Sequence, residues 1–138
     1  MTNKTATAAV DLSAIEAAIS RQDDGIDVPL VGLDGKTPLG IKIRVAGPDS
    51  ARAIAAQEAQ TDDLLERQDA GKPNAKQLAE RGIAYLARVT IDWSPAIKID
   101  GEERAYSEEN AVLLYSKFRF IKEQVDRAAG NRARFMIG

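Results

Sequence analysis

Two short stretches hold residue types that catalysis or ion binding would need. Between Thr61 and Glu66 stand Asp62, Asp63 and Glu66, hard oxygen donors of the kind a divalent cation takes. Their spacing fits no calcium loop, and the glycine of its sharp turn is missing. The stretch reads as a solvated helix face. Gly32-Leu33-Asp34-Gly35-Lys36-Thr37 ends in Gly-Lys-Thr, like a phosphate-binding loop. That loop sets four residues between its first Gly and its Gly-Lys pair, then runs into a helix. Here Leu33 and Asp34 alone intervene, and Pro38-Leu39-Gly40 forbids a helix start, so a hairpin loop is expected.

The wider inventory narrows the chemistry further. The chain has 138 residues with no Cys and no His. Disulfides, thiol catalysis and iron–sulfur clusters drop out, with Ser-His-Asp chemistry and nearly all zinc and haem sites. Paired carboxylates for glycoside hydrolysis want an aromatic cleft. The aromatics are Trp93, three Tyr and three Phe, too few to suggest one. The residues point to no enzyme, no metal and no cofactor.

Net charge is −2, too small to steer the whole molecule. Its distribution is uneven. Glu58, Asp62, Asp63, Glu66 and Asp69 face only Arg67, whereas Lys117, Arg119, Lys122, Arg127, Arg132 and Arg134 face only Glu123 and Asp126. Either these are two solvated helix faces, or they serve head-to-tail self-association or a charged partner. Phe118, Phe120 and Phe135 stand among the bases, an arrangement that can stack nucleobases. Phe118 belongs to an apolar stripe, however, and the chain is acidic overall, so no nucleic acid is expected. No apolar run approaches the ~18–20 residues of a membrane span. Met1–Val10 has one Lys and no long apolar core, so no secretory signal is read there. The expectation is a soluble, intracellular protein without a membrane partner.

The elements that would position these residues follow from pattern. Met1–Val10 is expected to be disordered, residues 11–130 to form one α+β domain, and 131–138 to form a tail. Asp11 or Ser13 caps a first helix with Leu12, Ile15 and Ile19 on one stripe. Ile26, Val28 and Leu30 alternate as a strand. The Asp34-Gly35 turn and Thr37–Gly40 loop follow, and Ile41–Val45 alternates again. Pro29 makes the first strand an edge, open to completion by another copy. Asp49 or Ser50 caps a helix to about Gln68 with a thin stripe of Ala51, Ile54, Ala55 and Leu65. Ala70–Pro73 ends it as the one plausible hinge.

Asn74 starts the best core helix, to about Thr90, with Leu78, Ala79, Gly82, Ile83, Tyr85, Leu86 and Val89 inward. Ile91–Pro95 reads as a turn, with Trp93 anchored in the core and its indole N–H on a carbonyl. Ile97–Ile99 and Arg104–Tyr106 flank Asp100–Glu103 as a short second hairpin. Ser107 caps the next helix with Asn110 at its third position. The last helix has a stripe of Phe118, Ile121, Val125 and Ala128 or Ala129, closed by Gly130 as a left-handed cap. The fold class is α+β: mainly helical, an N-terminal β-hairpin packed on three or four helices, and a small second hairpin.

The residues offered to a partner are Ile54, Leu65, Arg119, Phe120, Phe135 and Met136. Ile54 and Leu65 lie on a stripe too thin to bury well. Phe120 is roughly opposite its helix's stripe and either packs on the preceding helix or faces a partner. Phe135-Met136-Ile137 either tucks into the core or forms an adaptable binding tail.

One ordered set of motifs carries a resemblance. Val45-Ala46-Gly47-Pro48-Asp49-Ser50 leaves the hairpin, and a charged helical middle follows. Then come Trp93, Asp100-Gly101-Glu102, Tyr106-Ser107-Glu108-Glu109-Asn110-Ala111 and Arg134-Phe135. From Ile26 to Phe135 the chain resembles the small tail assembly chaperones of long-tailed, siphovirus-like bacteriophages. Many relatives have Gly where this chain has Asp92, and Pro-Phe where it has Ala105-Tyr106. The resemblance implies a non-enzymatic protein of the host cytoplasm, absent from the mature virion. It would bind the tape measure protein, keep it soluble, help recruit tail tube subunits and leave. The family often makes a longer form by ribosomal frameshifting, and Met136-Ile137-Gly138 is compatible with that. The alternative is a structural phage protein retained in the particle, a minor tail or head–tail joining subunit.

Overall fold

The computed structural model describes residues 8–67 and 71–136. The expected disorder of residues 1–7, the end of the second helix at Gln68, the start of the hinge at Ala70, and Ile137 lie outside them. The elements in order are α1 (Ser13–Asp24), β1 (Ile26–Val31), β2 (Pro38–Val45), α2 (Ala51–Glu66), α3 (Ala75–Val89), β3 (Thr90–Ser94), β4 (Ile97–Ile99), β5 (Glu102–Arg104), α4 (Glu108–Lys117), α5 (Arg119–Ala129) and α6 (Ala133–Met136). The class is α+β, with helix predominant and an N-terminal hairpin, as the pattern predicts.

The hairpin belongs to a three-stranded antiparallel sheet in the order β1-β2-β3. Val28 pairs with Ile43, and Ile43 with Trp93. Val28, Leu30, Ile43, Val45 and Trp93 are buried on one face. Asp27, Arg44 and Asp92 are in register on the other, and Arg44 Nε lies 3.2 Å from Asp27 Oδ1. This alternation is what a half-covered sheet requires. The turn expected at Ile91–Pro95 is therefore corrected to a strand. Alternation puts Trp93 beside Ile43 and Asp92 beside Arg44, a pairing invisible from local sequence. Pro38–Gly40, read as loop, extends β2 instead, with Gly40 at φ 78° where the register slips between Pro29 and Val31.

Trp93 is an anchor as expected: 5% exposed, with Nε1 donating to Arg104 O at 3.1 Å. Its ring meets Tyr106 edge-on, centroids 5.4 Å apart. Arg104 ends the second hairpin, β4–β5. Asp100 and Gly101 both have positive φ, 54° and 82°, the requirement of a two-residue turn matched to strand twist. That turn is shorter than the expected one, because Glu102 and Glu103 are already in strand.

Helices α3, α4 and α5 pack on one another, and α5 lies on β1 and β2. Leu86, Val89, Leu114, Tyr115, Ile121 and Val125 close the core with the sheet. Asn74 and Gln77 form a reciprocal capping box at α3, and Ser107 Oγ accepts Asn110 N–H at 3.0 Å. Only the C-terminal half of α3 is buried. Leu78 is exposed, a correction to the broad stripe: the buried residues of α3 are Leu86, Ala87 and Val89, where α4 and the sheet cover it. Gly130 is right-handed (φ −91°, ψ −3°), not the expected left-handed cap. The chain turns there into α6, which packs on α1.

Two further apolar stripes face solvent. In α1, Leu12, Ile15 and Ile19 face outward, and Ala18 and Gln22 are buried instead. In α2, Ala53 and Ala56 are buried and Ile54 is exposed. Ala53 and Ala56 lie one turn apart on the inner face, and Ile54, about 100° further round the helix, points away from it. Ser50 is the α2 cap: its Oγ accepts Ala53 N–H at 3.0 Å and donates to Gly47 O at 2.6 Å.

Candidate interaction surfaces

The residues offered to a partner do not converge. On α2, Ile54 is 49% exposed and Leu65 57%. Leu64 is also exposed. The acids around them divide: Asp63 pairs with Arg81 at 3.4 Å, and Glu58, Asp62 and Glu66 are exposed without an ion pair among the described residues. Gln60 donates to Arg81 O, holding the middle of α2 to α3. The outer face of α2 is thus apolar and acidic over a rigid seat.

The C-terminal candidates separate. Arg119 is open to solvent and lies 3.7 Å from Glu123, a helical pair of little energetic weight. Phe120 is half-buried and meets Phe118 edge-on, centroids 6.4 Å apart. Of its two expected placements, this is the one within the fold. Phe135 is 3% exposed and Met136 61%. Phe135 is therefore corrected from a partner contact to an internal one: α6 turns it inward, where burying an aromatic ring is favourable. Met136 remains available.

The surface that sequence reasoning missed is on α1, where Leu12, Ile15 and Ile19 form an outward stripe. The signal was present in Ala18 and Gln22, one turn apart, as a competing inner face. Gln22 is 3% exposed. Its Nε2 donates to Asp49 Oδ2 at 3.1 Å, and its Oε1 accepts Asp49 N–H at 2.6 Å. Arg44 Nη1 donates to the carbonyls of Asp24 and Gly25 at 2.7 and 3.1 Å. Polar bonds seat this helix on the sheet and on the start of α2, and α6 packs against it.

The Gly32–Thr37 stretch is held by bonds within its own loop. Asp34 accepts N–H bonds from Lys36 and Thr37 at 2.9 and 2.8 Å, and the Thr37 hydroxyl. The Thr37 hydroxyl, then the two amides, hold its carboxyl at about 2. The Gly-Lys-Thr sequence thus serves a hairpin loop. Among the described residues no group of three acids converges as a metal would need, and no helix is long and apolar enough to cross a membrane. Comparison with protein-family models, curated proteins and solved structures gives no match.

Proposed function

We propose that this chain is a tail assembly chaperone of a long-tailed bacteriophage. It binds the tape measure protein, holds its apolar helices in solution, and helps recruit tail tube subunits. It acts without catalysis in the host cytoplasm and leaves before the virion is complete. The observation that carries this reading is the outer face of α2, where Ile54 and Leu65 are exposed beside Glu58 and Asp62 on a body whose core is closed by other residues. A holder of amphipathic helices needs apolar anchors on a soluble, charged body. Several copies on one long helix would bind by avidity and be displaced in turn. The motif order supports the reading too. Gly47–Ser50 starts α2, Trp93 anchors the sheet, Asp100-Gly101 turns the second hairpin, and Ser107–Asn110 caps α4.

The test is affinity purification of the tagged protein from cells producing the phage, and a search for it in purified particles. Recovery of a long helical tape measure protein, with absence from particles, is expected. Ile54→Asp with Leu65→Asp is expected to abolish that recovery while leaving stability within about 0.5 kcal/mol, as exposed sites do. Presence in particles would replace the reading by a retained structural subunit. Absence of any phage protein from both fractions would end it.

A further inference from the structure

We infer that the channel between β1 and α5 is a docking groove for an acidic, apolar segment of a partner polypeptide. This goes beyond the functional reading above and does not depend on it. The groove is open to solvent and has a volume of about 260 Å³. Val28, Pro29 and Val31 supply its apolar wall, and Gln124, Arg127 and Arg134 its polar one.

The charges in it are unmatched. On α5, the cations within ion-pair distance of Glu123 and Asp126 are Arg119 and Lys122, each one turn earlier, at 3.7 and 3.4 Å. Arg132 is committed to Asp49. Arg127 and Arg134 make no ion pair among the described residues. Among the described residues, two guanidinium groups thus line one apolar groove without an ion-pair partner. Arginine forks recognise carboxylates in pairs of parallel bonds.

The way an occupant binds is also constrained. β1 is an edge strand, and an edge ordinarily invites strand addition. Here Val31 N–H donates to Gln124 Oε1 at 2.9 Å, and Gln124 Nε2 donates to Val31 O at 2.8 Å. Pro29, two residues earlier and so on the same side of the strand, has no N–H to give. Main-chain pairing is blocked over this half of β1. The occupant binds through side chains: carboxylates on Arg127 and Arg134, and an apolar group between them on the β1 wall. A nucleic acid fits less well, because no aromatic ring lines the groove for stacking.

The test pans a displayed library of short random peptides on the full-length protein, with counter-selection on Arg127→Glu/Arg134→Glu. Enrichment of Asp or Glu beside Leu, Ile or Met is expected. The leading synthetic peptide should weaken about tenfold or more on the double variant, weaken with added salt, and shift the NMR signals of the Gln124 side-chain amide and β1. Arg127→Gln/Arg134→Gln, which reverses no charge, should weaken it in the same sense, and keeps the test open should the reversal disturb the fold. No acidic enrichment, or binding indifferent to both double variants, overturns the proposal. So does tighter, arginine-dependent binding of a single-stranded RNA oligomer. A concentration-dependent dimer that both variants abolish would assign the groove to a second copy and overturn it as well.

Discussion

Asp49 and Arg132, 83 residues apart, meet through two charge-assisted bonds, Nε to Oδ2 at 2.5 Å and Nη2 to Oδ1 at 2.8 Å. The same aspartate holds the Gln22 amide through its side chain and its backbone N–H. One residue therefore joins α1, the start of α2 and the turn into α6. The Arg132 guanidinium first, and the Gln22 amide second, hold the Asp49 carboxyl at about 2, against 3.8 ordinarily.

This gives stability a defined acid dependence. The folded-state pKa lies below the unfolded one. The contribution is therefore complete above about pH 4 and is lost as pH falls toward about 2. Asp49→Asn removes it. The difference in Tm between wild type and Asp49→Asn should be constant at neutral pH and shrink over that window. A difference that stays flat down to pH 2 would refute the assignment.

Gly47 leaves the space that Gln22 occupies. A Cβ at Gly47 would fall 2.5 Å from Gln22 Oε1 and 2.6 Å from its Cγ. Gly47→Ala is expected to cost about 1–3 kcal/mol, as overpacking does. In a Gln22→Ala background the same change should cost clearly less, since the sites share one space. Urea unfolding of the four proteins measures this, and strict additivity would contradict it.

Thr90 and Tyr115 form a buried pair with a fixed direction. Thr90 Oγ1 donates to Leu86 O at 2.7 Å. It therefore accepts from the Tyr115 hydroxyl, 2.8 Å away. Burial pushes the Tyr115 phenol well above its ordinary range. Tyr115→Phe should cost about 1 kcal/mol, because Thr90 keeps its own acceptor. Thr90→Val should cost about 1–3 kcal/mol, because the Tyr115 hydroxyl is left buried and unpaired. Denaturant titration should show the double variant less destabilised than the sum of the two.

Gln124 acts on the sheet edge as a strand would, through one donor and one acceptor. Gln124→Ala should lose about 1–2 kcal/mol for two part-buried bonds and free the Val31 backbone for pairing with other chains. Sedimentation velocity should show concentration-dependent association of this variant. Gln124→Glu keeps an acceptor for Val31 N–H but loses the donor, and should fall between the two. A Gln124→Ala protein as monodisperse as wild type would argue that other features guard the edge.

The fold was largely legible where one local signal settled the matter. Alternation marked β1 and β2, and Ser50, Asn74 and Ser107 announced the starts of α2, α3 and α4. Legibility failed where two faces of one helix competed. In α1, Leu12, Ile15 and Ile19 share one stripe, yet a glycine and an aspartate distant in sequence make the Gln22 side the inner face. β3 was missed for a related reason: its five residues become a strand only beside β2, which lies 45 residues earlier by the Val45–Thr90 register. Among the candidate contacts, Ile54, Leu65, Arg119 and Met136 are exposed as their positions suggested. Phe135 is not, because the turn after Gly130 that folds it inward has no strong local signature.

The outward stripe on α1 also has a calorimetric consequence. Of its residues only Ala18 and Gln22 are buried, so detaching the helix hydrates Ala18 and the α6 face packed on it, far less apolar surface than the core, and carries a much smaller heat capacity than global unfolding. The sheet-and-helix core buries most of the large aliphatic side chains and carries a large one. Release of α1 should therefore follow a nearly straight van't Hoff line. Global unfolding should follow a curved one, with a stability maximum at moderate temperature. Amide exchange measured over a temperature series would read both lines in one molecule, as two thermometers of different curvature.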